Sequence, residues 1–310
     1  MVVFAVRRVL WALLVLLATV VLTYGAARVL EPRLYGGEPV MAGTWDDVRA
    51  VLLHFDFGEA CMIPGCPRIS TVFWRTCSVD LLLLAGGLVF GVVGGIAGGV
   101  WCALRPRSLT ARALDVAAAF AYCTPVYVVG LGLLLLFEPT FGIWHVPLFL
   151  EPGSYAAITE DPWDFLRTML VPWLIVGAPL AGICLRLTAA SILDNLDEPY
   201  VRTAFAKGLT RRRAVGRHAA RPAHLTVASL VGTQVRMLVT NLVLVEYVFF
   251  LPGFFLYTKR ALGQDTPRWS PVPDIPSLQA LAVWMAALIL LVSLVAELLL
   301  GWLDPRIRDT

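Results

Sequence analysis

The chain is 310 residues long, 58% of them apolar and 15% charged, with a mean hydropathy of +0.76. A soluble domain runs about 45 to 50% apolar and about 25% charged, so a soluble fold is excluded and an all-α integral membrane protein is the expected class. The formal net charge of +3 is small, and no nucleic-acid partner is expected.

A helix needs about 20 predominantly apolar residues to cross the hydrocarbon. Six stretches qualify: 9–29, 79–103, 115–137, 170–190, 226–249 and 278–302. Residues 1–30 form the first transmembrane helix, 31–78 an extracytoplasmic loop, and 79–310 the main transmembrane domain. The first apolar stretch exceeds the roughly 7 to 15 residues of a secretory signal, although Arg7-Arg8 before it and Gly25-Ala26-Ala27 behind it leave a cleavable signal open. With six spans both termini share a side. The segments on that side carry 14 basic residues in 62, against 8 in 109 for the opposite set, so the positive-inside rule makes both termini cytoplasmic. The expected location is the plasma or inner membrane, with multiple passes through the lipid bilayer.

The outer segments 30–78, 138–169 and 250–277 are too long for plain turns, and loops of that length usually carry function or structure. Their 13 acidic residues, against 5 on the inner side, fit either a docking surface or a solvated face. Trp45, Trp74, Trp144, Trp163 and Trp269 fit ordinary interfacial anchoring as well as a built surface. Cys61 and Cys66 share a turn-forming stretch of the first outer loop. A disulfide between them and two free thiols are both open. Cys102, Cys123 and Cys184 read as packing residues, and no metal-ligand spacing is present.

In the second span Gly87, Gly91, Gly95 and Gly99 recur every fourth residue, with Gly94 and Gly98 alongside. Such a seam lets another helix approach closely, within the chain or from a second subunit. In the fifth span Ser229, Thr233, Arg236 and Thr240 repeat at +4, +3 and +4, which stacks them on one face over about 16 Å. That stripe is the candidate wall of a wetted pathway. The alternative for Arg236 is a structural ion pair with Asp80, Glu246 or Glu297.

Segment 191–225 holds seven basic residues in 35, more than a simple connection between spans requires. Asp197 is placed to cap a helix whose first turn contains Glu198 and Pro199, Lys207 suits its last turn, and Gly208 supplies the left-handed residue that stops it. Tyr200, Val201, Ala204, Phe205 and Leu209 fall largely on one face. The result is a short amphipathic helix along the membrane, open on physical grounds to simple binding of anionic lipid.

The string Glu198-Pro-Tyr-Val-Arg-Thr-Ala-Phe-Ala-Lys-Gly208-Leu209, followed by Arg217-His218-Ala-Ala-Arg221, resembles the cytoplasmic EAA-type loop of the dipeptide and oligopeptide permeases of ABC importers. The same family's landmarks run in order along the chain: Arg7-Arg8, Thr124-Pro125-Val-Tyr-Val-Val-Gly130, Leu185-Arg186-Leu-Thr188, Val245-Glu246 with Pro252-Gly253, and Leu303-Asp-Pro-Arg-Ile-Arg308. Pro222, Thr226 and Asn241-Leu242 depart from the pattern. The resemblance implies a type I importer permease with the MetI-like fold, forming half of a channel for peptides or similar small solutes. It also implies a second homologous permease, two cytoplasmic ABC ATPases and an extracytoplasmic solute-binding protein as partners. Glu198, Tyr200, Val201, Arg202, Ala204, Phe205, Ala206, Lys207, Gly208 and Leu209 would then couple the spans to the ATPases.

Lys207 and Lys259, the two lysines, stand in no phosphate-binding glycine loop. ATP and magnesium would therefore be bound by the ATPase chains, with no cofactor in this one. An enzyme is not expected, since neither His-Glu-x-x-His nor Gly-x-Ser-x-Gly occurs. The rival class is a secondary, ion-coupled transporter, whose signature would be inverted repeats. The 191–225 loop has no second copy.

Overall fold

A computed structural model of the chain describes residues 2–30, 39–60, 66–137, 143–144, 155–196, 198–210, 213, 215–216, 220–262 and 274–303. These residues are helical apart from turns and one isolated antiparallel bridge, Glu59 with Arg68. In chain order the elements are α1 (Val2–Leu30), α2 (Val40–His54), α3 (Ile69–Val89), a π-helical turn (Phe90–Gly94), α4 (Gly95–Leu104), α5 (Leu109–Cys123) and α6 (Val126–Phe137). They continue with α7 (Pro162–Leu196), α8 (Pro199–Ala206), α9 (Ala220–Phe249), α10 (Tyr257–Ala261) and α11 (Ile275–Leu303). The all-α expectation holds. Among the described residues four helices are long and apolar enough to cross a bilayer, Val3–Leu30, Ile69–Leu104, Pro162–Leu196 and Ile275–Trp302, and a bent pair makes a fifth if taken as one span. The expected fifth span falls within α9, whose 30 residues reach about 45 Å.

Two expected boundaries shift. The helix assigned to 79–103 starts at Ile69, and the loop assigned to 31–78 contains α2. The larger correction concerns 115–137, expected as one span. It is two helices, Leu109–Cys123 and Val126–Phe137, bent by 111° at Thr124-Pro125. Pro125 has no N–H to donate to Ala121, and its ring drives the preceding residue out of the helical region. Thr124 accordingly lies at φ −95°, ψ 131°. Proline alone does not dictate a break, because α7 runs straight through Pro172 and Pro179 with much of its surface buried.

The chain divides into two compact units. In the unit of Met1–Leu81 and Phe250–Leu294, α1 packs on α2 through the nearly buried Arg28, whose Nε lies 2.7 Å from Asp47 Oδ2. The guanidinium rests over Gly43, one turn before Asp47, where any Cβ would collide with it. The same unit buries Asp80 completely. Its carboxylate accepts from the Phe254 backbone N–H at 2.8 Å and from the Trp284 indole N–H. Phe73 stacks edge-on against Phe55, Trp74, Phe254 and Trp284 around it.

In the unit of Leu82–Phe249 and Val295–Thr310, α7 packs against α4, α5, the π turn and α9. The glycine seam faces α7, which decides between the two readings in favour of packing within the chain. A Cβ at Gly95 would stand 2.7 Å from the Ala181 carbonyl oxygen, and one at Gly99 would stand 2.6 Å from that of Leu185. Gly87 and Gly91 meet Val176, Gly177 and Leu180 in the same way. The indole of Trp173 lies over Gly86 and donates to the Leu82 carbonyl at 2.9 Å.

Candidate coupling loop and pathway face

α8 begins where proline is pre-set for a first helical turn, at Pro199. Glu198 is the N-cap residue, with extended backbone and no side-chain cap bond. Asp197, the expected cap, lies outside the described residues. At the other end Gly208 has φ +83°. Its N–H donates to the Phe205 carbonyl at 2.9 Å, and the Leu209 N–H donates to the Ala204 carbonyl at 3.2 Å. These two bonds form a Schellman closure around a left-handed residue, so the sequence signal at Gly208 is realised in the backbone.

The apolar set of α8 is divided in two. Val201 and Ala204 are buried, and α8 packs on α7. Val215 is buried in a cluster with Ala103 and Ile192 at the ends of α4 and α7. Tyr200 and Phe205 are 47% and 38% exposed, and Glu198, Arg202, Ala206, Lys207 and Gly208 are exposed with them, while Leu209 is half-buried. The helix is thus fixed to the chain by one edge and presents two aromatics and two basic residues on the other. The sequence pattern put these five apolar residues largely on one face. It missed the anchoring role of Val201, Ala204 and Val215, whose only signal was their small size.

α9 buries Val235, Leu238, Val239, Leu242, Val245 and Glu246, a helical stripe at i, i+3, i+4, i+7 spacing. Ser229, Arg236 and Thr240 are exposed on the other side, followed by Leu244 and Tyr247. Thr233 shares that face by spacing, although its side chain lies outside the described residues. Among the described residues no carboxylate pairs with Arg236. Asp80, one of the partners considered for it, is engaged by Phe254 and Trp284. Between α5 and α7, Arg186 Nε lies 3.0 Å from Asp115 Oδ1. Cys66 is exposed with φ +42°. Cys61, and with it the disulfide, lies outside the described residues.

Residues 95–309 match the family of binding-protein-dependent transport system inner membrane components, and the chain belongs to that family. It is a multi-pass membrane permease and not a member of an enzyme class, and the resemblance to the dipeptide and oligopeptide permeases is borne out. The chain is 33% identical over 260 residues to the oligopeptide transport system permease protein OppB of Mycobacterium tuberculosis, covering 82% of this chain and 76% of that one. Against the dipeptide transport system permease protein DppB of Escherichia coli it is 30% identical over 238 residues, 71% and 68% of the two chains. Against DppB of Haemophilus influenzae it is 29% identical over 272 residues, 83% and 78%.

Proposed function

We propose that the chain is one permease half of an ATP-driven importer that passes peptides or similar small solutes into the cytoplasm, with six crossings of the plasma membrane and both termini cytoplasmic. It pairs with a second homologous permease and accepts solute from an extracytoplasmic binding protein. α8 inserts its Tyr200 and Phe205 edge into a cleft on an ATPase. ATP and magnesium belong to two such ATPase subunits, and closure of their nucleotide sandwich is transmitted through α8 to α7 as a rigid-body rotation.

The observation that carries this reading is the exposed face of α9. A lipid-facing helix does not present Ser229, Arg236 and Thr240 on one stripe, because a charged side chain at membrane depth turns to a bundle interior or to water. A polar stripe on the outside of a single chain therefore calls for water and a second wall, which the paired permease supplies. Family membership supports the same reading over ion-coupled transport. The type names of the relatives support peptides as cargo.

Two measurements test it. In a chain with its native cysteines replaced, Glu38→Cys and Asp161→Cys are expected to react with an impermeant thiol reagent on intact cells, and Arg212→Cys is not. The opposite labelling would invert the orientation and remove α8 from the ATPase side. Arg236→Gln is expected to leave assembly intact, since Arg236 makes no ion pair within the described chain. Uptake should fall about tenfold, the worth of one hydrogen bond to a charged group. Loss of expression together with uptake would make Arg236 a structural residue instead.

A further inference from the structure

The break between α5 and α6 leaves backbone groups without partners. Among the described residues no hydrogen bond reaches the carbonyl oxygens of Ala121, Tyr122 or Cys123, and the N–H groups of Val126 and Tyr127 donate to none. Thr124 still donates to Phe120 at 2.9 Å, and Val128 turns back to Pro125 at 3.0 Å, so the gap is confined to the bend. Its depth follows from length. α5 starts after the turn Arg105-Pro106-Arg107-Ser108 and has 15 residues, which place the break about 22 Å along from its start. With α5 starting at the interface and running across the bilayer, that lies inside a hydrocarbon layer of about 30 Å.

Irregular backbone at that depth is tolerated only where protein buries it or where it lines a water-filled cavity. Within this unit the break is only partly covered: Tyr122, Cys123, Pro125 and Tyr127 are exposed, Ala121 and Thr124 are half-buried, and Val126 is buried. The helices on either side are held firmly. α5 lies on α7 with the Ala118 carbonyl against Gly182, and α6 lies on α9 with Gly130 against Val248 and Phe249. The break is therefore a fixed feature of the fold and not a frayed end.

We propose that the Thr124-Pro125 break is a wetted station on the translocation pathway, where the carbonyls of Ala121, Tyr122 and Cys123 accept hydrogen bonds from the backbone amides of a peptide in transit. The proposal rests on the importer reading above and deepens it. Backbone N–H groups are the feature that peptides of different sequence share, and a row of backbone carbonyls engages them without reading side chains. Tyr122 and Tyr127 flank the row with rings that tolerate either apolar or polar neighbours. In other transporters the unwound carbonyls of discontinuous membrane helices coordinate cations beside the solute site, and here the same kind of group would meet the N–H donors of a peptide.

Cys123 is a native probe at the break. Cys66 is the other exposed cysteine among the described residues, while Cys77, Cys102 and Cys184 are buried. With Cys61→Ser and Cys66→Ser in place, the complete transporter is reconstituted in liposomes with its binding protein, and Cys123 is challenged with a charged, water-borne maleimide and, separately, with a lipophilic one. The expected result is reaction with the charged reagent, slowed at least about fivefold by excess tripeptide, and loss of uptake once Cys123 is modified. Reaction with the lipophilic reagent alone would place the break against lipid. Reaction with neither, in resting and nucleotide-trapped states, would place it under the second permease. Either result, in a complex that still imports peptide, overturns this inference and leaves the importer reading standing. Failure of ATPase subunits to co-purify, with no peptide uptake, would instead remove the importer reading itself.

Discussion

Gly95→Leu is expected to cut the amount of folded permease in the membrane by about tenfold or more. Even a single Cβ at Gly95 would come within 2.7 Å of the Ala181 carbonyl oxygen and 2.5 Å of Cys184 Cβ, and neither of those neighbours is the far end of a flexible side chain. Overfilling a packed interior costs about 1 to 3 kcal/mol and more where backbone must move, against a total stability of about 5 to 15 kcal/mol. Losses of about 1 to 2 kcal/mol already change cellular abundance several-fold. Leucine adds three further carbons to the same clash, so α4 would have to leave α7. Gly132→Ala is the matched control, since a Cβ there meets nothing within 4 Å, and it should accumulate as the parent does. Membrane-fraction blots and the melting of the detergent-extracted protein read both variants. Parental levels of Gly95→Leu would mean that α4 and α7 do not approach as closely as described.

Gly208→Val is the second large effect, and it acts on a different quantity. No atom lies within 4 Å of a Cβ at Gly208, and its φ is +83°, so the penalty is conformational and not steric crowding by neighbours. A left-handed β-branched residue costs about 1 to 2 kcal/mol, enough to release the closure at Leu209 and re-aim the end of α8. No span is touched. The protein should reach the membrane at the usual level while solute-stimulated ATP hydrolysis falls to its basal rate. Phe205→Asp should uncouple in the same way, because Phe205 is 38% exposed and a charge there disturbs the surface without opening the core. Asp304→Asn should do neither. ATPase retention, stimulated hydrolysis and uptake, measured together in a reconstituted complex, decide the matter. Full coupling in both loop variants would make α8 a lipid-facing basic helix.

The helical spans could be read because hydropathy over about 20 residues reports burial in lipid directly. What it does not report is direction. The window over 115–137 is apolar throughout, so it reads as one span whether or not the chain turns at its centre. Pro125 was the available signal, yet Pro172 and Pro179 sit in α7 without breaking it. The packing around each proline, which a single sequence does not record, makes the difference. The glycine period announced a close helix contact but not its partner. α7 was identified only by the Cβ positions that Val176, Leu180, Cys184 and Thr188 would obstruct. In segment 191–225 the stop at Gly208 was legible, since only backbone conformation is at stake there. The split of α8 into a buried edge and an exposed edge was not, because Val201 and Phe205 look alike to a hydrophobic periodicity and differ only in which neighbour reaches them.

The clamp at Asp80 sets a rule for how the segment after α9 can vary. Its bond to position 254 is made with a main-chain N–H, which every residue except proline carries. Side chains from Leu251 to Phe255 are therefore free to change without breaking that bond, provided the aromatic packing against Phe73 is replaced by something of similar bulk. A change in length is a different matter. One residue added or removed between Phe250 and Phe254 would carry the N–H about 3.8 Å along the chain, beyond reach of a carboxylate that is fully enclosed. The segment should thus diverge by substitution while keeping its register, and insertions should collect beyond α10.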